Sequence, residues 1–261
     1  MALKIAVSGK GGVGKSTLSG TLARLLAEDG FTVLAVDADP DANLASAIGM
    51  PAELKKNIKT ISKESDIIKE RTGATPGRMG QMFSLAPDVS GITEICGVSY
   101  KGVNLVILGA VKTGGSGCAC PESVLLKSLV MDMVLYRDEA VILDMEAGIE
   151  HLGRGTAMGV DVMIVVVEPG TRSFETGERI KEMSDAIGIK KVFYVLNKYF
   201  DESDITFAEN TLGKENLIGK IPFDMRISKS DKEQKSILDI DAPDLKSIYN
   251  DIKNKIVLKV S

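Results

Sequence analysis

Tryptophan is absent from this chain, and aromatic residues together make up only 5% of it. Glycine numbers 26 by contrast, and short runs of Val and Ile recur. Such a chain suits a parallel sheet wrapped by helices. Cysteine is scarce and odd in number, at three, which argues against a disulfide framework and for free thiols or metal ligands in a reducing compartment. An excess of positive charge is also missing. A net charge of −4 and a pI near 5.3 give no sign of a nucleic-acid surface. Long apolar runs are missing too: the longest, Val160 to Val167, contains Asp161 and is too short to span a bilayer. Met1-Ala-Leu-Lys leads straight into a strand-like run without a signal-peptide pattern. The expectation is a cytoplasmic protein with no membrane and no nucleic-acid partner. No repeat or low-complexity segment interrupts the 261 residues, which suffice for one large α/β domain or two small ones.

What is present is a rhythm. β-Branched runs at Leu3–Ser8, Thr32–Asp37, Val103–Leu108, Ala140–Asp144, Val162–Glu168, Lys191–Asn197 and Leu217–Ile221 alternate with amphipathic stretches. Ser16–Glu28 places Leu18, Leu22, Leu25 and Leu26 on one helical face, and Glu122–Leu135 and Arg172–Ile187 behave similarly. The alternation predicts a doubly wound, mostly parallel sheet flanked by helices, with ligands at the carboxyl ends of the strands. Ala52 to Val98 is the exception. Scattered Gly, Pro and charge there suggest an insertion, helical in part from Ala52 to Lys69.

Gly9 to Thr17 reads Gly-Lys-Gly-Gly-Val-Gly-Lys-Ser-Thr and follows the first run. Gly9, Gly14, Lys15 and Ser16 satisfy the phosphate-loop pattern. Glycines here let backbone N–H groups turn onto phosphate oxygens, and a helix starting near Gly14 directs its positive end to the same place. The candidate nucleotide-binding residues are Gly11, Gly12, Val13, Gly14, Lys15, Ser16 and Thr17. Lys15 would reach the phosphates, and Ser16 would hold Mg²⁺. Lys10 is an additional lysine that an ordinary phosphate loop does not need. The second run ends in Asp37-Ala-Asp39-Pro-Asp41, where clustered carboxylates call for a cation; Asp39 is the candidate for Mg²⁺ and for handling the attacking water. The run ending at Asp144 supplies the other Mg²⁺-side carboxylate.

These residues together resemble the deviant Walker A ATPases, the group holding the nitrogenase iron protein, MinD and ParA. The carriers are Lys10, Asp37-x-Asp39 and Asp144-x-x-Ala147-Gly148-Ile149-Glu150. The resemblance implies an ATPase in which two subunits face each other across two ATP molecules, with Lys10 reaching into the partner's site. It also implies that Asn197-Lys198 and the Pro222-Phe223 loop contact adenine. Glu146 departs from the group, whose members often carry proline there.

Gly114-Gly-Ser-Gly-Cys118-Ala-Cys120-Pro121 is a second motif. Two thiols one residue apart, on a glycine-rich turn before a helix, should have lowered pKa values. They would form half of a tetrahedral or square-planar site for Zn²⁺, Ni²⁺, Cu(I) or an iron–sulfur cluster, with a twofold dimer supplying the other half; the alternatives are a redox pair or two incidental cysteines. With Asp144-Met-Glu-Ala-Gly-Ile-Glu-His151 and Arg154-Gly-Thr-Ala157, this motif is similar to the CooC family, accessory ATPases for nickel insertion into carbon monoxide dehydrogenase. That resemblance implies a slow, dimer-dependent ATPase with ATP and Mg²⁺, one Ni²⁺ or Zn²⁺ per homodimer on Cys118 and Cys120, and carbon monoxide dehydrogenase as client. The alternative is a MinD- or ParA-like positioning ATPase without a metal role. Cys96 and His151, the sole histidine, are read as structural, and Leu245 to Val257 as a helix packed on the sheet.

Overall fold

The computed structural model describes residues 2–76, 78, 80–109, 121–136, 139–147 and 159–260. Eight strands form one sheet: β1 (Leu3–Gly9), β2 (Val33–Asp37), β3 (Val98–Tyr100), β4 (Val103–Ile107), β5 (Ala140–Asp144), β6 (Val162–Val167), β7 (Val192–Tyr199) and β8 (Leu217–Pro222). Their order is β3-β4-β2-β5-β1-β6-β7-β8. Every pairing is parallel except that of β3 with β4. All seven expected strands are there. β3 is additional: it reaches β4 through a two-residue turn in which Lys101 has φ 47° and Gly102 φ 78°. Positive φ at both central residues is the geometry that closes a tight hairpin.

Alternation along β1 sorts the core into two layers. Leu3, Ile5 and Val7 pack on one side with Leu18, Leu22 and Leu26 of the Lys15–Glu28 helix and with Leu245, Tyr249, Ile252 and Ile256 of the Pro243–Val260 helix. Ala6 faces the other side, where the Pro121–Tyr136, Thr171–Ile187 and Glu202–Leu212 helices contribute Leu125, Leu129, Phe174, Ile180 and Ile205. β1 has strands on both flanks and helices packed over both faces, and all seven of its residues are buried. The phosphate-loop pattern therefore leaves the sheet from its middle.

The 52–98 region does more than decorate the surface. It is partly helical as expected, in Ala52–Lys55, Ser65–Thr72 and Ile92–Cys96. It also lends Ile61, Ile68, Val89, Ile92 and Cys96 to the core. Ser62 N–H donates to Leu108 O at 3.0 Å, which ties it beside β4. The helix outside the expected stretch, Ile92–Cys96, is too short to show a hydrophobic period. Among the described residues no helix is long and apolar enough to cross a membrane.

Candidate functional site

The loop after β1 is held by close packing. Gly9 has φ 153° and Gly14 φ 96°. A Cβ on Gly9 would strike Val166 O, and one on Gly14 would strike the Asn197 amide, so neither position accepts a side chain. Helix Lys15–Glu28 starts directly behind Gly14. Lys15 is buried, and its Nζ lies 3.5 Å from Asp39 Oδ2 and 3.5 Å from Lys10 O. Lys10 itself is exposed, and its side chain has no hydrogen bond or ion pair among the described residues.

The floor is acidic. β2 and β5 are neighbours, with Asp37 opposite Asp144. Asp37 is fully buried and accepts hydrogen bonds from Leu44 N–H at 2.9 Å and Asp39 N–H at 3.2 Å. Burial pushes its carboxyl up to about 7; repulsion from Asp144 and Asp39 adds to the rise, and the two N–H donors oppose it. Asp144 is also fully buried, and Ser19 Oγ donates to its Oδ1 at 3.1 Å. Burial pushes this carboxyl up to about 6, against the Ser16 hydroxyl, the Lys15 charge and the Ser19 hydroxyl, with Asp39 adding to the rise. Asp144 Oδ2 is buried without a hydrogen-bond partner. An orphaned carboxylate oxygen beside a serine hydroxyl and a second carboxylate fits a hard divalent cation. Mg²⁺ commonly keeps waters and phosphate oxygens as ligands. That habit suits this floor, because among the described residues no group of three or more His, Cys, Asp or Glu could hold a metal alone.

The opposite wall comes from β7 and β8. Asn197 Nδ2 donates to Val13 O at 2.7 Å, and Asn197 Oδ1 accepts from Lys198 N–H at 3.0 Å. Lys198 Nζ donates to Gly12 O at 2.7 Å and pairs with Glu168. Phe223 N–H donates to Tyr199 O at 2.8 Å, and the Phe223 ring stacks on exposed Phe200 with centroids 5.0 Å apart. Asp224 caps the Met225–Lys232 helix and binds Arg226.

Between these walls lies a cleft of about 610 Å³, a size common for small-molecule sites. It is lined by Gly11, Gly12, Gly14, Lys15, Ser16, Thr17, Asp39, Asn197, Lys198, Pro222 and Phe223 from the expected set. Three expected residues sit elsewhere. Val13 turns its side chain into the core, Asp144 lies buried below the cleft, and Lys10 is exposed and does not line it. The cleft also contains Asp41, Asn43, Glu146, Ala147, Asp224, Ile227, Ser228 and Asp231. Asp224 was readable as a helix cap after Pro222-Phe223; the next helical turn brings Ile227 and Ser228 to the same wall. Glu146 is fixed through its backbone, because Ser8 Oγ donates to Glu146 O at 2.7 Å. Cys118, Cys120 and His151 lie outside the described residues. Cys96 is buried in the core, where burial first and Glu64 second push its thiol upward.

Residues 4–237 match the CobQ/CobB/MinD/ParA nucleotide binding domain, and the chain belongs to that family. Its nearer kinship is narrower. The chain is 45% identical, over 91% of its length and 90% of the relative's, to the carbon monoxide dehydrogenase accessory protein CooC of Rhodospirillum rubrum. It is 44% identical to an uncharacterized ATP-binding protein of Methanocaldococcus jannaschii, over 88% of each chain. The fold matches the MinD cell division protein of Aquifex aeolicus with a TM-score of 0.66, at 20% identity and 97% coverage of both chains. The kinship read from the Lys10 loop and the Asp144 segment thus extends over most of the chain.

Proposed function

We propose that the chain is an ATP-dependent metallochaperone. ATP binding and hydrolysis in the cleft control dimerisation and the capture of Ni²⁺ or Zn²⁺ by Cys118 and Cys120 of two subunits, for the maturation of carbon monoxide dehydrogenase. The observation that carries this reading is the 45% identity to CooC across 91% of a chain that also holds the Cys-x-Cys motif. The cleft supports the ATPase part. Its glycine loop and Lys15 suit phosphates, and Ser16, Asp39 and Asp144 suit Mg²⁺, which supplies charge neutralisation at the phosphates. Lys10, exposed and unpaired among the described residues, suits a group that works on the partner's nucleotide. Hydrolysis is expected to be slow and to need the dimer, because the cleft is completed in trans.

The membrane-positioning alternative draws less support. The C-terminal helix buries Leu245, Tyr249, Ile252 and Ile256 against β8 and the Lys15–Glu28 helix, so these side chains are engaged within the fold. The deciding experiment is sizing of the protein with ATP, ADP and Ni²⁺, with metal analysis of each peak. The expected result is a nucleotide-dependent dimer carrying one metal ion. Cys118→Ala with Cys120→Ala should lose the metal and keep the nucleotide. Unchanged stoichiometric Ni²⁺ or Zn²⁺ binding by that double variant would refute the assignment, and ATP-dependent sedimentation with liposomes would favour the alternative.

A further inference from the structure

We infer that Lys198 is a positioning residue for the phosphate loop and does not read the base. The inference rests on the nucleotide reading above and assigns a different job within it. A peptide unit is planar, with its C=O and N–H on opposite sides, so fixing one fixes the other. The Gly12–Val13 unit is held at both ends: Lys198 Nζ donates to Gly12 O at 2.7 Å, and Val13 N–H donates to Lys10 O at 3.4 Å. The following Val13–Gly14 unit is held by Asn197 Nδ2 on Val13 O at 2.7 Å. Two adjacent residues at the end of β7 thus grip two adjacent carbonyls of the loop. The grip turns the Gly14 N–H away from β7, and it sets the turn that carries Lys10.

Both residues are committed to this task. The Asn197 amide spends its oxygen on Lys198 N–H at 3.0 Å and a hydrogen on the loop. Lys198 spends its charge on Glu168, which follows β6, the strand paired with the end of β1. This neutralisation keeps Lys198 from competing with Lys15 for phosphate. The backbone supports the same conclusion. Lys198 has φ 60°, a left-handed conformation that costs a lysine energy and would cost glycine little. Its side chain is 40% exposed, and ion pairs that open to solvent add little stability. A strained, half-exposed lysine is a poor device for holding the fold and a good one for aiming a loop.

The test is a titration of ATP, ADP and GTP, each with Mg²⁺, against the wild type, Lys198→Met, Lys198→Gly and Glu168→Gln. Wild type that binds no nucleotide would overturn the ATPase reading itself. Given wild-type binding, Lys198→Met should weaken ATP and ADP by the same factor, about tenfold, the worth of one charge-assisted hydrogen bond. Lys198→Gly should lose as much, although its backbone is relaxed. The ATP-to-GTP preference should stay unchanged, and saturating turnover should fall less than affinity does. Glu168→Gln should weaken binding less, and should add no further loss on top of Lys198→Met. Folded Lys198 variants with wild-type affinity, or a change confined to the ATP-to-GTP ratio, would overturn the inference. Circular dichroism confirms that each variant is folded; if Lys198→Met is not, Lys198→Gly and Glu168→Gln decide.

Discussion

The two walls of the cleft are built on opposite principles. On the β2–β5 side two carboxyls are buried side by side, Asp37 bonded only to backbone N–H groups and Asp144 with its Oδ2 lacking any hydrogen bond. On the β7–β8 side the polar groups are already satisfied within the protein. Asn197 bonds the loop and its neighbour, Lys198 bonds Gly12 and Glu168, and Asp224 bonds Arg226. The first wall is electrostatically incomplete and the second is mechanically complete. Buried carboxylates without partners destabilise an empty protein, and a bound cation relieves that cost. The acidic wall is therefore where binding energy is generated, and the other wall is where geometry is kept.

If Lys10 acts across a dimer as proposed, its removal should have the largest effect. Lys10→Ala should lower phosphate release by roughly 10³-fold or more, as removal of a charge-stabilising finger does. Nucleotide-driven dimerisation, followed by light scattering, should be lost with it, while the monomer still binds nucleotide. Next comes pH. Asp37 and Asp144 have folded values of about 7 and about 6, above the ordinary 3.8. Between those limits these two groups hold more protons in the folded chain than in the unfolded one, so their contribution to stability falls as pH rises. Compared with Asp37→Asn and Asp144→Asn, the nucleotide-free protein should lose on the order of a few kcal/mol between pH 4 and pH 7, and then level off. Urea melts across that range read this directly, and Mg²⁺ with nucleotide should flatten the curve. A flat curve without ligand would mean that the acidic wall is already compensated. A smaller effect is expected on the other wall. Asn197→Ala leaves Val13 O unpaired and should cost about 1–3 kcal/mol of unfolding free energy. Phe200→Ala should cost the least, at most about 1 kcal/mol, because it removes one exposed stacking partner.

The acidic wall was legible along the chain, because its carboxylates end β-branched runs and its glycines follow one. The other wall was legible only in part. Asn197 and Lys198 stood out at the end of a run, but their partner is the loop 184 residues earlier, and no local spacing encodes that contact. An amide at the end of a strand suggested a contact with the base; the fold adds that one of its N–H groups and its oxygen also bond within the protein. β3 escaped notice because three residues carry no period and Lys101-Gly102 is a weak turn signal. The Ile92–Cys96 helix escaped for the same reason, whereas helix within Ala52–Lys69 was expected; Ile61, Ile68 and Ile92 complete the core.

The helix from Pro243 to Val260 has a consequence for how the protein is made. It lies on the Lys15–Glu28 helix, and Lys253 pairs with Asp29 across 224 residues of sequence. A ribosome therefore finishes the phosphate loop more than 200 residues before its cover. Until Tyr249 and Ile252 have emerged, Leu22 and Leu26 lack part of the apolar layer that encloses them in the finished fold. The nascent chain carries a nucleotide motif long before it carries a nucleotide site. Competence to bind nucleotide thus waits until residues 243–260 have been made, so a chain truncated before this helix should bind nucleotide poorly.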